Sequence, residues 1–159
     1  MSWIKLLGVC CLIGSGIWAA YRVNREASTA LAELEAWQKL LRYVKAQIDC
    51  FSLPIGRILE GVDSSLLAAC GYTVEKPPND FLEMFSHCEI RDTQGRKILF
   101  EFCEGAGKRY REEESRSCDY FIALLSERIG QLRAQLPNRK RLCSTLCVSA
   151  TVAVVILLI

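Results

Sequence analysis

One helical stretch decides the fold: residues 31–48 read LAELEAWQKLLRYVKAQI. Its large apolar side chains recur at steps of three or four residues; they are Leu31, Leu34, Trp37, Leu41, Val44 and Ile48. Because an α-helix has about 3.6 residues per turn, this spacing puts them all on one face. We expect Ser28 or Thr29 to cap this helix, and Glu33 to lie in its first turns, where the helix dipole favours negative charge.

Two further stretches have the same spacing and predict two more helices. Residues 55–70 follow Pro54, which suits a first helical turn, and precede Gly71, which suits a C-terminal stop. Residues 118–136 carry the last apolar stripe, and we expect Pro137 to end that helix because proline lacks a backbone N–H.

The segment between these two stretches predicts shorter elements. Asn79 or Asp80 is expected to cap a short helix that carries Phe81, Leu82 and Phe85, whereas residues 91–96 predict a loop. A short apolar piece follows, with Ile98, Leu99 and Phe102, and then a bend at residues 105–107, Gly-Ala-Gly. Amphipathic helices cannot bury their apolar faces alone, so we predict an all-α fold, an antiparallel bundle of about five to six helices.

The charges are confined to the middle of the chain. Of the 20 Lys and Arg and the 18 Asp and Glu residues, every one except Lys5 lies between Arg22 and Arg141. Residues 142–159 contain no charge and no proline, and as a helix they would reach roughly 27 Å, close to the thickness of a hydrocarbon core. We therefore predict a C-terminal transmembrane helix over residues 142–159.

A second transmembrane helix is predicted over residues 1–21. Trp3, Trp18 and Tyr21 lie near its ends, as aromatic residues do at membrane interfaces. The alternative is a cleaved signal peptide, but Trp18 would then occupy the small-residue position before a cut after Ala20. We expect the segment to be retained as an anchor, with the helical bundle over residues 22–141.

The basic residues next to the two spans predict the orientation. Five of them lie on the side of the middle segment, against Lys5 alone on the other; they are Arg22, Arg25, Arg139, Lys140 and Arg141. Since cytoplasmic flanks carry the excess of Lys and Arg, residues 22–141 should lie in the cytoplasm, below the cell membrane. The middle segment also holds five scattered cysteines, an odd number that suits a reducing compartment.

The middle segment carries no recognisable catalytic motif. Gly107-Lys108 is followed by Arg109, where a phosphate-binding loop needs Ser or Thr. His87 and Cys88 are adjacent, so on a helix they would point about 100° apart. One His and no Cys-x-x-Cys pair argue against a zinc site. The near-neutral charge gives no case for nucleic acid. We predict no enzyme, cofactor, metal or small-molecule substrate.

Three weaker patterns remain open. A membrane enzyme with a thiol nucleophile would depend on Cys88 or Cys103. The glutamates at residues 112–114 are either an acidic docking patch or, more commonly for such runs, a solvated helix face. Ser149 and Ala153 lie four residues apart and would form a small-residue face that packs on another helix.

The order of these segments resembles a known family. The matching pieces are KLLG at residues 5–8, Arg25, LRYVKAQI at 41–48, LPI at 53–55, and Arg141-Leu142 followed by a span that closes in VILLI at 155–159. With these pieces in this order, the chain resembles the stage III sporulation protein AB family along its whole length.

The resemblance implies a non-enzymatic membrane platform in a sporulation channel, a secretion-like complex between mother cell and forespore. It implies a middle domain on the mother-cell side that is similar to the F platform protein of type II secretion systems. The implied partners are the membrane, other sporulation-channel membrane proteins and a secretion-type ATPase. The residues alone leave an alternative: a tail-anchored helical-bundle regulator that binds an amphipathic partner helix in a groove.

Overall fold

The computed structural model describes the backbone of residues 2–51, 53–74 and 76–158. Side chains are described for residues 25–51, 53–74 and 76–137, and for Gly14, Trp18, Tyr21, Arg22 and Thr145. The described chain contains six helices: α1 (Ser2–Phe51), α2 (Ile55–Glu60), α3 (Ser64–Ala69), α4 (Phe81–Ser86), α5 (Thr93–Gly105) and α6 (Arg111–Leu158). It contains no strand, only an isolated bridge between Tyr72 and Cys88. The all-α fold class is confirmed.

Contacts divide the chain into two compact units. One comprises residues 1–28 and 132–159, and the other comprises residues 29–131. The predicted transmembrane helices fall in the first unit, where most side chains lie outside the described residues. Within the part of the chain that the structure describes, no helix combines the length and hydropathy needed to cross a bilayer.

In the unit of residues 29–131, α1 and α6 lie side by side and run antiparallel. Three contacts link Asp49 to Arg111, Lys45 to Asp119 and Gln38 to Ile122. Residue numbers fall along α1 as they rise along α6, so the two chain directions are opposite. This is the antiparallel arrangement that the apolar stripes predict for these two helices.

The stripe of residues 31–48 forms the centre of this unit. Five of its six predicted side chains are buried, namely Leu34, Trp37, Leu41, Val44 and Ile48, while Leu31 is half-buried. The Trp37 indole Nε1 donates a hydrogen bond of 3.0 Å to the Cys70 carbonyl oxygen, which satisfies the polar atom of a fully buried ring. This bond ties α1 to the end of α3.

The predicted start of the first helix is wrong. Ser28 and Thr29 lie inside α1, and the Ser28 hydroxyl donates 2.9 Å to the Arg25 carbonyl oxygen instead of capping. No Gly or Pro occurs between residues 17 and 28, so nothing in the sequence interrupts the helix there. Glu33 is therefore not in a first turn; it is buried and forms an ion pair with Arg91.

The single helix predicted for residues 55–70 is also wrong, because it is two helices. Asp63 caps α3, and its carboxylate accepts a 3.0 Å hydrogen bond from the Ser65 backbone N–H. That local bond interrupts the helix between α2 and α3, although the apolar spacing continues across the interruption. The predicted stop at Gly71 is confirmed, since this glycine has a φ of 89°.

Two further boundaries differ from the prediction. The loop expected at residues 91–96 is mostly helix, because Asp92 caps α5, which begins at Thr93. Pro137 does not end the last helix, since α6 continues through it to Leu158. A proline removes one helical hydrogen bond, and residues 138–158 contain no further Pro or Gly to stop the helix.

Candidate partner-docking surface

Helix α4 is short and is fixed at its start by side-chain caps. The Asp80 carboxylate accepts a 2.7 Å hydrogen bond from the Glu83 backbone N–H, as the sequence predicts for this residue. The Glu83 carboxylate accepts in return from the Asn79 backbone N–H at 2.9 Å. Such reciprocal caps satisfy donors that a helix start leaves without partners, so six residues suffice for a defined helix.

Helix α5 is fixed at its start by a buried acid. Asp92 accepts 2.7 Å from the Gly95 backbone N–H, and it also accepts from Arg128 on α6 through Nε at 2.9 Å and Nη2 at 2.7 Å. The Arg128 guanidinium holds the pKa of Asp92 below its usual range. Next to it, the Glu33–Arg91 pair joins α1 to the residue just before this cap.

Close packing holds the inner faces of α4 and α5. The Phe81 and Phe102 rings meet edge to face at 5.0 Å between centroids, and Phe102 meets Phe121 of α6 at 5.4 Å. A Cβ added at Gly95 would lie 2.5 Å from a methyl carbon of Leu34, so glycine is what allows α5 this close to α1. These contacts fix which residues the two helices turn outward.

The outward side of these two helices, which we name the α4–α5 face, exposes apolar side chains. Phe100 is 46% exposed and Leu82 is 40% exposed, while Phe85 is half-buried. The Phe85 and Phe100 ring centroids lie 5.6 Å apart. An open groove of about 430 Å³ is lined by Phe85, Thr93, Arg96, Lys97, Phe100 and Glu101.

The charges of this groove are unbalanced. The Arg96 guanidinium carbon lies 5.8 Å from the centre of the Phe85 ring, a cation–π geometry that holds it over the groove. Neither Arg96 nor Lys97 forms an ion pair with any residue that the structure describes, and Glu101 is the single carboxylate in the lining. The face is therefore apolar and carries two unpaired cations.

Sequence patterns did not reveal this face. The apolar spacing marks Leu99 and Phe102, which are buried, and Phe100 lies between them outside that spacing. The signal that was available is this extra aromatic residue on a polar helix side, next to two adjacent basic residues.

One family model matches nearly the whole chain. The family model described as Stage III sporulation protein AB matches residues 5–159. The chain belongs to the stage III sporulation protein AB family. This membership gives it a role in sporulation. No match was found among curated proteins or among solved structures.

In this stage III sporulation AB protein the candidate nucleophilic thiols are buried. Burial raises the pKa of Cys88 to about 12, and it also raises that of Cys103. A nucleophilic thiol needs a lowered pKa, because the thiolate is the reactive form. Neighbouring His87 is exposed, and its ring meets that of Tyr72 at 6.3 Å. Cys88 is therefore packed in the core, and His87 is solvated.

The glutamate run at residues 112–114 is not a uniformly solvated face. Glu112 and Glu113 are exposed, but Glu114 is only 4% exposed and accepts 3.2 Å from the Gly107 backbone N–H. Burial raises the pKa of Glu114, and its Oε2 has no hydrogen-bond partner among the described residues. The helical spacing turns this third glutamate inward, since it lies four residues before buried Cys118.

The remaining patterns divide between described and undescribed residues. Gly107 forms the predicted bend with a φ of 79°. No cluster of His, Cys, Asp and Glu that would hold a metal ion occurs in the described part of the chain. The side chains of Ser149 and Ala153 lie outside the described residues, so the predicted small-residue face stays a prediction.

Proposed function

We propose that this protein is a non-enzymatic membrane platform of the sporulation channel between mother cell and forespore. The observation that carries the proposal is the family match over residues 5–159, because it includes both apolar ends and the helical bundle between them. The described bundle supports a binding role over a catalytic one, since its exposed feature is an apolar groove and its candidate thiols are buried.

Membrane anchoring at both ends is part of this proposal. It is supported by the sequence: 18 uncharged residues at 142–159 and a shorter apolar run that follows Lys5. The basic residues that flank both runs support a cytoplasmic position for residues 22–141. The family resemblance implies that this is the mother-cell side.

Docking of a secretion-type ATPase is the second part. A platform must present a binding surface to the ATPase, and the α4–α5 face offers exposed aromatic side chains beside unpaired cations. The proposed likeness of the bundle to the F platform protein of type II secretion systems fits the same role.

Co-purification tests the platform role. The full chain, carrying an affinity tag, would be extracted in mild detergent from sporulating cells, with a similarly tagged unrelated membrane protein as the control. We expect a secretion-type ATPase and other sporulation-channel membrane proteins to be recovered with this chain only. Recovery of an unassociated monomer would contradict the proposal.

Cysteine labelling tests the orientation. Cys50 is exposed, whereas the other four cysteines of the described bundle are buried, so a membrane-impermeant maleimide has one accessible thiol there. We expect mass spectrometry to find Cys50 labelled only after the cells are permeabilised. A Ser2→Cys variant is the matched control, since the proposed topology puts residue 2 outside and its labelling should need no permeabilisation. Labelling of Cys50 in intact cells would reverse the orientation.

The second candidate function is a tail-anchored regulator that binds a partner helix. The groove on the α4–α5 face favours it, because such grooves bind amphipathic helices. Deleting residues 1–21 separates the two candidates. A platform anchored at both ends should lose its sporulation function, whereas a tail-anchored regulator should keep it.

A further inference from the structure

We infer that the α4–α5 face binds an amphipathic helix of a partner protein, and that this helix presents carboxylates beside its apolar side chains. The inference deepens the proposed function and rests on it, because it takes the chain to be a docking component. It adds what chemistry the partner must offer on that surface: carboxylates beside the apolar side chains of an amphipathic helix.

The groove determines where the partner must present apolar side chains. Phe85 and Phe100 form its aromatic walls, with centroids 5.6 Å apart, and the open volume is about 430 Å³. Leu82 extends the apolar surface along α4 and is 40% exposed. The two rings are in contact with each other, so the apolar side chains of a partner helix would pack on the exposed surface of this pair and on Leu82, one helical turn before Phe85. Aromatic side chains in such pockets are the usual centres of binding energy.

The unpaired Arg96 and Lys97 side chains indicate that the partner carries carboxylates. Three of the ion pairs in the described bundle link segments of this chain that are distant in sequence: Arg91 to Glu33, Arg128 to Asp92, and Lys45 to Asp119. In contrast, Arg96 and Lys97 have no carboxylate within ion-pair distance among the described residues. Both line the groove, so carboxylates on the partner would complement them.

The face is already in its binding geometry. Asp92 and Gly95 hold the start of α5 against α6 and α1, and Phe102 packs between Phe81 and Phe121. Stacking over Phe85 also restricts the Arg96 side chain. Less conformational entropy is therefore lost when a partner binds. A preformed concave groove fits the ridge of a helix, whereas a membrane surface would need apolar side chains that protrude.

Photo-crosslinking from position 101 tests the inference. Glu101 lines the groove and is exposed, so replacing it with a photoreactive amino acid leaves both aromatic walls and both cations in place. The full-length protein would be irradiated in sporulating cells, and the crosslinked peptide would be identified by mass spectrometry. We expect a protein segment with helical apolar spacing and Asp or Glu residues beside the apolar positions.

Two variants in the same crosslinking background measure the contributions. Phe100→Ser should lower the crosslink yield about 30-fold, the effect of losing an aromatic anchor. Replacing Arg96 and Lys97 together with Glu should lower it about tenfold, and Lys residues at the partner's mapped acidic positions should restore it.

The matched controls have similar exposure but lie elsewhere. Lys39→Glu with Arg42→Glu reverses two exposed charges on α1, and Tyr110→Ser removes an aromatic ring that is 86% exposed. Both should leave the yield unchanged. Fluorescence of buried Trp37, recorded on the purified variants in a Trp3→Phe, Trp18→Phe background, checks that each variant is folded. Crosslinks to lipid, crosslinks to a segment without carboxylates, or equal effects of test and control variants would overturn the inference.

The same cells separate this inference from the proposed function. If the secretion-type ATPase co-purifies equally well with the unmodified chain and with the double-Glu variant, the platform role stands and this surface is wrong. If an acidic helix of a different protein crosslinks and no ATPase co-purifies, the surface stands and the ATPase assignment is wrong.

Discussion

The starts of α5 and α6 each bury a carboxylate, but only one carboxylate is fully satisfied. Asp92, before α5, accepts hydrogen bonds from the Gly95 backbone N–H and from Arg128. Glu114, in the first turn of α6, accepts from the Gly107 N–H while its Oε2 has no partner among the described residues. Hydrogen bonds from Arg128 lower the pKa of Asp92, and burial raises the pKa of Glu114. At similar burial, the partner decides whether a charge stabilises the fold.

The largest effect that tests this comparison is expected for Asp92→Ala. The substitution removes a helix cap and leaves Arg128, whose side chain is 17% exposed, without its carboxylate. We expect the free energy of unfolding to fall by about 3 kcal/mol. The measurement is urea unfolding of the full chain in mild detergent, followed by Trp37 fluorescence in a Trp3→Phe, Trp18→Phe background.

Asp92→Asn is the control for that substitution. Asparagine caps a helix about as well as aspartate but carries no charge for Arg128, so it isolates the ion pair from the cap. We expect it to be intermediate between the unmodified chain and Asp92→Ala. If Asp92→Ala lowered the free energy of unfolding by no more than the loss of a helix cap does, the ion pair with Arg128 would not explain the contrast between Asp92 and Glu114.

The next largest effect is expected for Gly95→Ala, which tests how tightly the start of α5 is packed. The added methyl group would lie 2.5 Å from Leu34 and 3.1 Å from an Asp92 carboxylate oxygen. Overpacking of this kind should lower the free energy of unfolding by about 2 kcal/mol in the same urea experiment.

Gly130→Ala is the matched control for that overpacking. It lies within α6, with nothing within 4 Å of the added Cβ. Because alanine favours the helix over glycine, we expect it to stabilise the chain by up to about 1 kcal/mol. If Gly95→Ala and Gly130→Ala lowered the free energy of unfolding equally, the packing against Leu34 would not matter.

The sequence predicts best those features that depend on residues close to one another in the chain. The stripe of residues 31–48 depends only on helical spacing, and all but Leu31 of its predicted side chains are buried. Local caps were predicted at Asp80 but missed at Asp63, where a carboxylate bond interrupts continuing apolar spacing, and at Asp92, where the polar residues 91–96 had predicted a loop.

Contacts distant in sequence could not be predicted at all. Glu33 and Arg91 are 58 residues apart, and Asp92 and Arg128 are 36 apart. No helical periodicity relates such positions, because they meet only after the helices pack. The α4–α5 face was missed for the same reason: Phe85 and Phe100 come from different helices.

A smaller effect, of opposite sign, is expected for Glu114→Gln. Glutamine keeps the oxygen that accepts from Gly107 but carries no charge to desolvate, so the variant should be about 1 kcal/mol more stable at pH 7. The pKa of Glu114 is raised in the folded state, so its penalty is absent below the unfolded pKa and grows as pH rises through the folded pKa. The gain should therefore vanish near pH 4, as measured by urea unfolding across pH.

Asp92 should show the reverse dependence in the same titration. Its pKa is lowered on folding, so its contribution to stability is present above the unfolded pKa and is lost as pH falls through the folded pKa.

A Glu114→Gln variant that is less stable than the unmodified chain at pH 7 would show that the buried charge of Glu114 is satisfied after all.

The smallest effect is expected for Asp119→Ala, which removes an ion pair at the surface of the same helix α6. Its carboxylate lies 2.6 Å from Lys45 Nζ, and the hydrogen bond raises the pKa of that lysine. The Asp119 side chain is 60% exposed, so water and salt screen the attraction and replace it when it is lost. We expect a slight fall in the urea midpoint at low salt and none at high salt. A loss as large as that of Asp92→Ala would mean that charge pairing alone, without burial, sets the difference between the starts of α5 and α6.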